Sequence, residues 1–319
     1  TTITFASQIV GAFGPALDNV SIEETLPVVT NTTVVVKLAD LDAGPTVTAV
    51  FNNSGKWFMY NDTTDVIDNT IGSFVTGPST PAYGIGSLEF ILGANPLDRK
   101  NIATFKFSGM ALNTITEMSY GSYSQSGIAG PNESPFLNFN VDFSGTSGAF
   151  QKRLVYVPSA NMGSVPQDTW NTYDVINGGN AMWTWSGFVS NGNKWPDNNT
   201  NEYRSWSDIN SAFPAARLLP VGGWLGIRVG EPGPTNYSAD VDFFKIGTAA
   251  TVTTYDFEPT PTSSNVHIFK YIDGVQATVE NAGGVSFPMF TSTYNAPFTL
   301  NPNGWTTGDI AYEASTGPQ

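Results

Sequence analysis

The chain has no cysteine, a single histidine and little charge: Lys, Arg, Asp and Glu make up 13% of its 319 residues. Without cysteine there are no disulfides, no thiolate metal ligands and no thiol nucleophile. The one histidine, His267, lies on a predicted strand with no partner nearby in sequence. That argues against a Ser-His-Asp hydrolase and against a His-ligated zinc site. No apolar run is long enough to span a bilayer, so membrane insertion is not expected. Basic residues are scarce too. The net charge of −14 repels nucleic acid and anionic lipid, which removes both as partners.

What is abundant is Gly, Thr, Ser and Asn, a composition that favours strands and turns over long helices. Period-2 patterns recur at 55–61, 86–92, 102–107, 115–123, 136–143, 153–158, 170–176, 224–229, 241–246 and 252–257. Turn chemistry separates them, as at Gly77-Pro78, Ser144-Gly145 and Gly178-Gly179. Many short strands at this spacing predict a two-sheet sandwich. The one helical turn expected is at 207–213, capped by Ser207.

The predicted organisation has four parts. Residues 1–25 read as an orphan hairpin of a preceding or partner β domain, because two strands cannot bury a core alone. Residues 26–259 read as the main sandwich, and 260–265 as a linker rich in Thr, Pro and Ser. Residues 266–319 read as a partial immunoglobulin-like β domain. Leu17-Asp18-Asn19-Val20-Ser21-Ile22 and Val241-Asp242-Phe243-Phe244-Lys245-Ile246 share an apolar-Asp-x-x-x-Ile pattern, as two closing strands would.

Trp57-Phe58-Met59-Tyr60-Asn61-Asp62, Phe74-Val75-Thr76-Gly77-Pro78, Gly84-Ile85-Gly86-Ser87-Leu88-Glu89-Phe90 and Asp240–Gly247 carry a resemblance. With Ala103-Thr104-Phe105 and Ser119-Tyr120-Gly121-Ser122-Tyr123, they are similar to concanavalin A/laminin G-like jelly-roll domains of multidomain bacterial surface proteins. The resemblance covers roughly 34–258. It implies an all-β fold, a jelly-roll sandwich with a smaller Ig-like segment at the C-terminus. It also implies an adhesive or carbohydrate-binding role. The stretch 266–274 is similar to Ig-like stalk modules, in some of which a strand lysine forms an isopeptide bond. Lys270 is the matching lysine.

Three constellations are candidates for chemistry. Six of the eight tryptophans fall between Trp170 and Trp224. Trp183-Thr184-Trp185 alternates, so both indoles point to one face, and Trp195 sits in a polar loop. Flat aromatics stack on sugar rings while amides and charged groups bind hydroxyls. Trp183, Trp185, Trp195, Asn193, Asp197 and Arg204 are therefore the expected ligand-binding residues. Trp170, Trp206 and Trp224 are expected in the core. Asp40, Asp42, Asp240 and Asp242 are the expected ligands of a structural calcium ion, since first and last jelly-roll strands are neighbours. For catalysis the sequence offers only scattered carboxylates, of which Glu89 and Glu117 lie on predicted strands.

The reading that follows is a secreted or cell-surface, non-catalytic β-sandwich stabilised by calcium. Its expected partners are a polysaccharide or surface glycan, and further copies of the same chain. The first alternative is a structural subunit of an extracellular filament or surface layer, assembled by strand complementation. The second is a polysaccharide-active hydrolase or lyase.

Overall fold

The computed structural model describes residues 29–42, 55–126, 133–186, 194–199, 203–230 and 235–260, together with three backbone strands beyond 265. Strands and helices are numbered in chain order. The first sheet is built around β15 (Ser238–Gly247). Along one edge β15 pairs antiparallel with β7 (Glu117–Ser124), which carries β10 (Trp170–Asp174) on its far side. The other edge is divided. Residues 238–241 pair with β5 (Gly86–Ile91), and residues 243–247 pair with β16 (Thr251–Phe257). β4 (Gly72–Thr76) extends the β5 side, and β1 (Thr30–Val36) joins β16 in parallel. Asp242 is thus the one residue of β15 between its two partners on that edge.

The second sheet runs β12 (Arg204–Ser205), β11 (Met182–Trp185), β9 (Lys152–Tyr156), β8 (Phe136–Asp142), β14 (Leu225–Val229), β6 (Lys100–Thr104), β2 (Trp57–Asn61) and β3 (Val66–Ile67). A short β13 (Arg217–Leu218) also pairs with β8. Among the described residues the α-helices are α1 (Pro158–Met162) and α2 (Trp206–Ala212). The α2 cap is Ser205, whose hydroxyl accepts the Asp208 N–H at 3.1 Å, and not Ser207 as the sequence suggested. In a separate three-stranded sheet, β17 (Val266–Ile272) lies between β18 (Val275–Asn281) and β19 (Ile310–Tyr312). The expected hairpin at 1–25 lies outside the described residues, as do the side chains of His267 and Lys270.

Alternation explains the core. Leu137, Phe139 and Val141 of β8, Leu225, Ile227 and Val229 of β14, and Leu88 and Phe90 of β5 turn inward at every second position. Inward Trp57 meets Phe244, Tyr255 and Phe257 edge-on, at centroid separations of 5.9, 5.3 and 5.1 Å. Such aromatic contacts between sheets hold a sandwich beyond the area they bury. The all-β, two-sheet expectation holds.

One bulge aims the outer face. Between Val241 and Phe244, β15 has one residue more than β7, so Asp242 and Phe243 both stand opposite Gly121. Core residues Val241 and Phe244 stay inward, while Asp240 and Asp242 are displaced from the apolar core cluster. Phe243 lies flat on Gly121, where an added Cβ would come within 2.6 Å of its ring. Gly121→Ala should therefore lower stability by about 1–3 kcal/mol through overpacking. Urea denaturation measures it, and the Gly121→Ala/Phe243→Leu double variant should recover most of the loss.

Candidate functional site

At the β11 end of the second sheet, strand residues and a loop enclose an open hollow of about 610 Å³. Its walls are Phe143, Trp185, Pro196 and Phe213, with Ser144, Gln151 and Lys152 as polar groups. Each wall residue has a local reason for its place. Trp185 ends β11, paired with Leu154, and points inward as the Trp183-Thr184-Trp185 alternation requires. Phe213 follows α2, its N–H closing the helix on Ile209 C=O at 2.8 Å. Lys152 opens β9 and holds its ammonium 5.8 Å above the Trp185 ring, a cation–π contact.

The turn 143–148 on the rim is tied down by Asp142, whose residue is 0% exposed. One carboxylate oxygen accepts the Ser144 and Gly145 N–H groups, each at 3.0 Å, and the Ser144 hydroxyl at 2.6 Å. The other accepts Gly148 N–H at 3.0 Å and the Arg217 guanidinium at 3.3 Å. Burial pushes this carboxyl up, but the bonds from Ser144, Gly148, Arg217 and Gly145 outweigh it and hold it below the usual carboxylate range. Its stabilising contribution is present above the unfolded value and fades as pH falls through the folded one. Gln151 completes the rim, its carbonyl accepting Phe143 N–H at 2.6 Å.

Beneath the hollow is a stacked column. Trp185 lies over Trp195 at 6.1 Å, and Trp195 over Phe213 at 6.3 Å, both nearly parallel. The Arg204 guanidinium sits 4.7 Å from the Trp195 ring centre and makes two bonds of 2.9 Å to Asp197. Both bonds come from one guanidinium nitrogen, a charge-assisted contact made while the group lies over the indole.

The expected recognition residues are therefore together only in part. Trp185, Trp195, Asp197 and Arg204 converge on this column. Trp183 does not: it contacts Phe139, Tyr156 and Trp206 in the core and donates its indole N–H to Val175 C=O at 2.7 Å. The surface role expected of the three tryptophans is corrected. Trp183 and Trp195 are 0% exposed and Trp185 is 3% exposed, because alternation gives a shared face without saying which face is inward. Asn193 lies outside the described residues. Trp206 is core as expected, Trp224 belongs to a second apolar cluster with Phe58, Tyr60 and Phe105, and Trp170 is half-buried on the first sheet.

The four aspartates expected at calcium do not form a ligand set. Among the described residues no three acidic or histidine side chains are placed to hold a metal ion. Asp40 instead accepts Lys37 N–H at 3.0 Å beside a 3-10 turn, and the Asp42 carbonyl accepts the Asn69 amide at 2.8 Å. Asp240 and Asp242 share the outer face of β15 as alternation predicted, but they bind Ser87 at 2.9 Å and Tyr83 N–H at 2.8 Å. Glu89 and Glu117 are apart as well. They pair with Asp240 and Gly247 of β15, seven residues or about 23 Å along the strand. A glycosidase pair needs about 5–10 Å.

Sequence reasoning placed a turn at Ser144-Gly145 but missed Lys152, Gln151 and the part of Asp142 in holding that turn. It also missed an outer-face network in which Asp62 takes bonds from Arg153, at 3.4 Å, and from Arg228. The signal was present in Phe136-Leu-Asn-Phe-Asn-Val-Asp142, whose polar residues recur at every second position.

The fold and hollow define a β-sandwich with an aromatic site at one end of a sheet. No family model matches the chain, and no curated protein does. Among solved structures the crystal structure of a β-1,2-glucanase from Parabacteroides distasonis aligns at a TM-score of 0.28 and 8% identity. The alignment covers 70% of this chain and 30% of the glucanase, so the chain spans less than a third of that structure.

Trp195→Ala should cost about 3–5 kcal/mol, as expected for a buried large-to-small change, and leave Arg204 beside a cavity. Chemical denaturation measures it; a loss below 1 kcal/mol would contradict the core assignment.

Proposed function

We propose that the chain is a secreted or cell-surface, non-catalytic β-sandwich module that binds a polysaccharide or surface glycan in the hollow between Trp185, Phe143 and Phe213. The same reading takes the sandwich over 26–259 as a jelly roll of concanavalin A-like type and 266–319 as a partial Ig-like unit. The observation that carries it is the hollow's chemistry. Its volume of about 610 Å³ falls within the range of small-molecule sites. Its walls are aromatic and apolar, and its polar groups are an ammonium, an amide and a hydroxyl set on a hydrogen-bonded turn. Its apolar lining suits the C–H groups of sugar rings, and the polar groups suit their hydroxyls. Among the described residues that line the hollow, the charge offered to a ligand is the cation of Lys152.

The filament alternative has one observation in its favour. Among the described residues β1 is an edge strand of the first sheet, with Val34 and Val35 exposed at 39% and 45%. An apolar edge of this kind suits strand addition from another copy. Sedimentation would show concentration-dependent ladders on that reading and discrete monomers on the first.

Glycan-array screening followed by calorimetry tests the binding proposal. The intact protein should bind a defined glycan class. Lys152→Ala should lower affinity at least about tenfold, the worth of a charge-assisted hydrogen bond, with the fold retained by circular dichroism. Absence of binding to every glycan on the array, or equal affinity in Lys152→Ala, would overturn it.

A further inference from the structure

The outer face of the first sheet carries a second arrangement, independent of the hollow. Segment 77–86 crosses this face between β4 and β5 and is fastened almost wholly to acidic side chains. Tyr83 N–H donates to Asp242 Oδ2 at 2.8 Å. Ile85 and Gly86 N–H groups donate to Glu258 Oε1 at 2.7 and 3.3 Å. At Gly84, with φ of +54°, an added Cβ would fall 1.5 Å from the same Glu258 oxygen, so the close approach needs glycine. The Tyr83 ring lies 4.8 Å from that of Phe243, and Trp170 donates its indole N–H to Pro78 C=O at 2.8 Å.

The contacts beneath the segment need more protons than ionised carboxylates supply. Ser87 Oγ lies 2.5 Å from Gly77 C=O and 2.9 Å from Asp240 Oδ1. One hydroxyl proton cannot be donated to both acceptors. With Asp240 as a neutral acid the contacts balance: Asp240 donates to Ser87, and Ser87 donates to Gly77. Asp256 is 6% exposed, and its Oδ1 has no hydrogen-bond partner. Asp242 is 0% exposed, and its Oδ1 has no partner. An ionised carboxylate in that setting bears an uncompensated desolvation cost.

We propose that segment 77–86 is a strap locked onto the first sheet through the protonated carboxyls of Asp240 and Asp242, and that it loosens when they ionise. Release would uncover the Phe243 ring and the Asp240–Glu89 pair beside Tyr123 and Trp170.

Few groups of opposite charge face Asp240 and Asp242. β15 contributes Lys245, which is held by Glu117 of β7 at 3.0 Å. β7 also contributes Tyr123, which has Asp168 nearby. β5 contributes Glu89, β16 contributes Asp256 with Glu258 just beyond, and the strap contributes Tyr83. β4 and the strand β1 contribute no titratable side chain. Lys37 follows β1 at the end where Glu258 N–H donates to Val36 C=O at 2.9 Å.

Burial, with the neighbouring charges of Glu89, Asp256 and Glu258, pushes Asp240 and Asp242 up to about 7. Burial and Glu258 push Asp256 up to about 6. At these three carboxyls the folded chain therefore binds more protons than the unfolded chain from about pH 4 to 7. This contribution is full below the unfolded value and is lost as pH rises through that window.

Hydrogen exchange of peptides spanning 77–86, corrected for intrinsic rates, tests the strap. Protection should fall at least tenfold between pH 5 and pH 8 in the native chain. In Asp240→Asn and Asp242→Asn, where the neutral amide imitates the protonated acid, the fall should shrink below threefold. Equal protection at both pH values in the native chain, or an undiminished fall in both variants, would overturn the proposal. If the variants do not fold, a carbon-detected NMR titration of the native carboxyls decides. At least two aspartates should titrate between pH 5 and 8; titration of all of them below pH 5 overturns it.

Discussion

The constraint on which the rest of the structure depends is the division of β15 between two partners. A strand ten residues long is bonded on one edge to β7, and on the other first to β5 and then to β16. Three chain segments far apart in sequence are thereby fixed to one axis. The inward residues of that axis, Val241 and Phe244, meet the opposite sheet, and Trp57 joins Phe244 to Tyr255 and Phe257. The extra residue at Asp242 and Phe243 lets the register change without turning those core residues outward. The acids fall on the outer face at the fork and are covered there by a single crossing segment. Core, fork and strap are one mechanical unit.

The hollow at the other sheet depends on the same logic at smaller scale. A buried carboxylate, Asp142, gathers the donors of the turn 143–148 and Arg217, and this holds the rim in place. A buried guanidinium, Arg204, clamps the loop that carries Trp195 through Asp197. Both are charge-assisted arrangements with defined partners, the kind that hold a loop in one conformation. Arg204 and Arg217 thus act within the walls of this end, while Lys152 presents its ammonium to the hollow.

Much of the architecture was legible because period-2 alternation is a backbone property. The stretch Ala239-Asp-Val-Asp-Phe-Phe-Lys-Ile-Gly247 announces a strand with its acids on one face, and that face is where they lie. The face of Trp183-Thr184-Trp185 was legible too, but not its direction. Which side is inward is decided by Phe139, Tyr156 and Trp206, which sequence spacing does not bring near. The same distance hid the acid row. Asp242 is paired with Tyr83 and Glu258 with Ile85, contacts 159 and 173 residues apart. Asp240 and Asp242 looked like metal ligands because acids on one strand face suggest a cation. In the fold, Asp240 Oδ1 meets the Ser87 hydroxyl and Asp242 Oδ2 accepts the Tyr83 N–H. Lys152 and Gln151 escaped notice because the Trp185, Pro196 and Phe213 that share the hollow with them arrive from elsewhere in the chain.

The central claim is that the fold is organised around a strand whose outer carboxyls are neutral when buried. Its most direct test is the urea midpoint of unfolding at pH 4.5 and at pH 8.0, in one buffer system of constant ionic strength. The chain should be more stable at pH 4.5, since raised carboxyl values make the folded state the stronger proton binder across that interval. A higher midpoint at pH 8.0 would mean that those carboxyls are ionised in the fold, and would contradict the account.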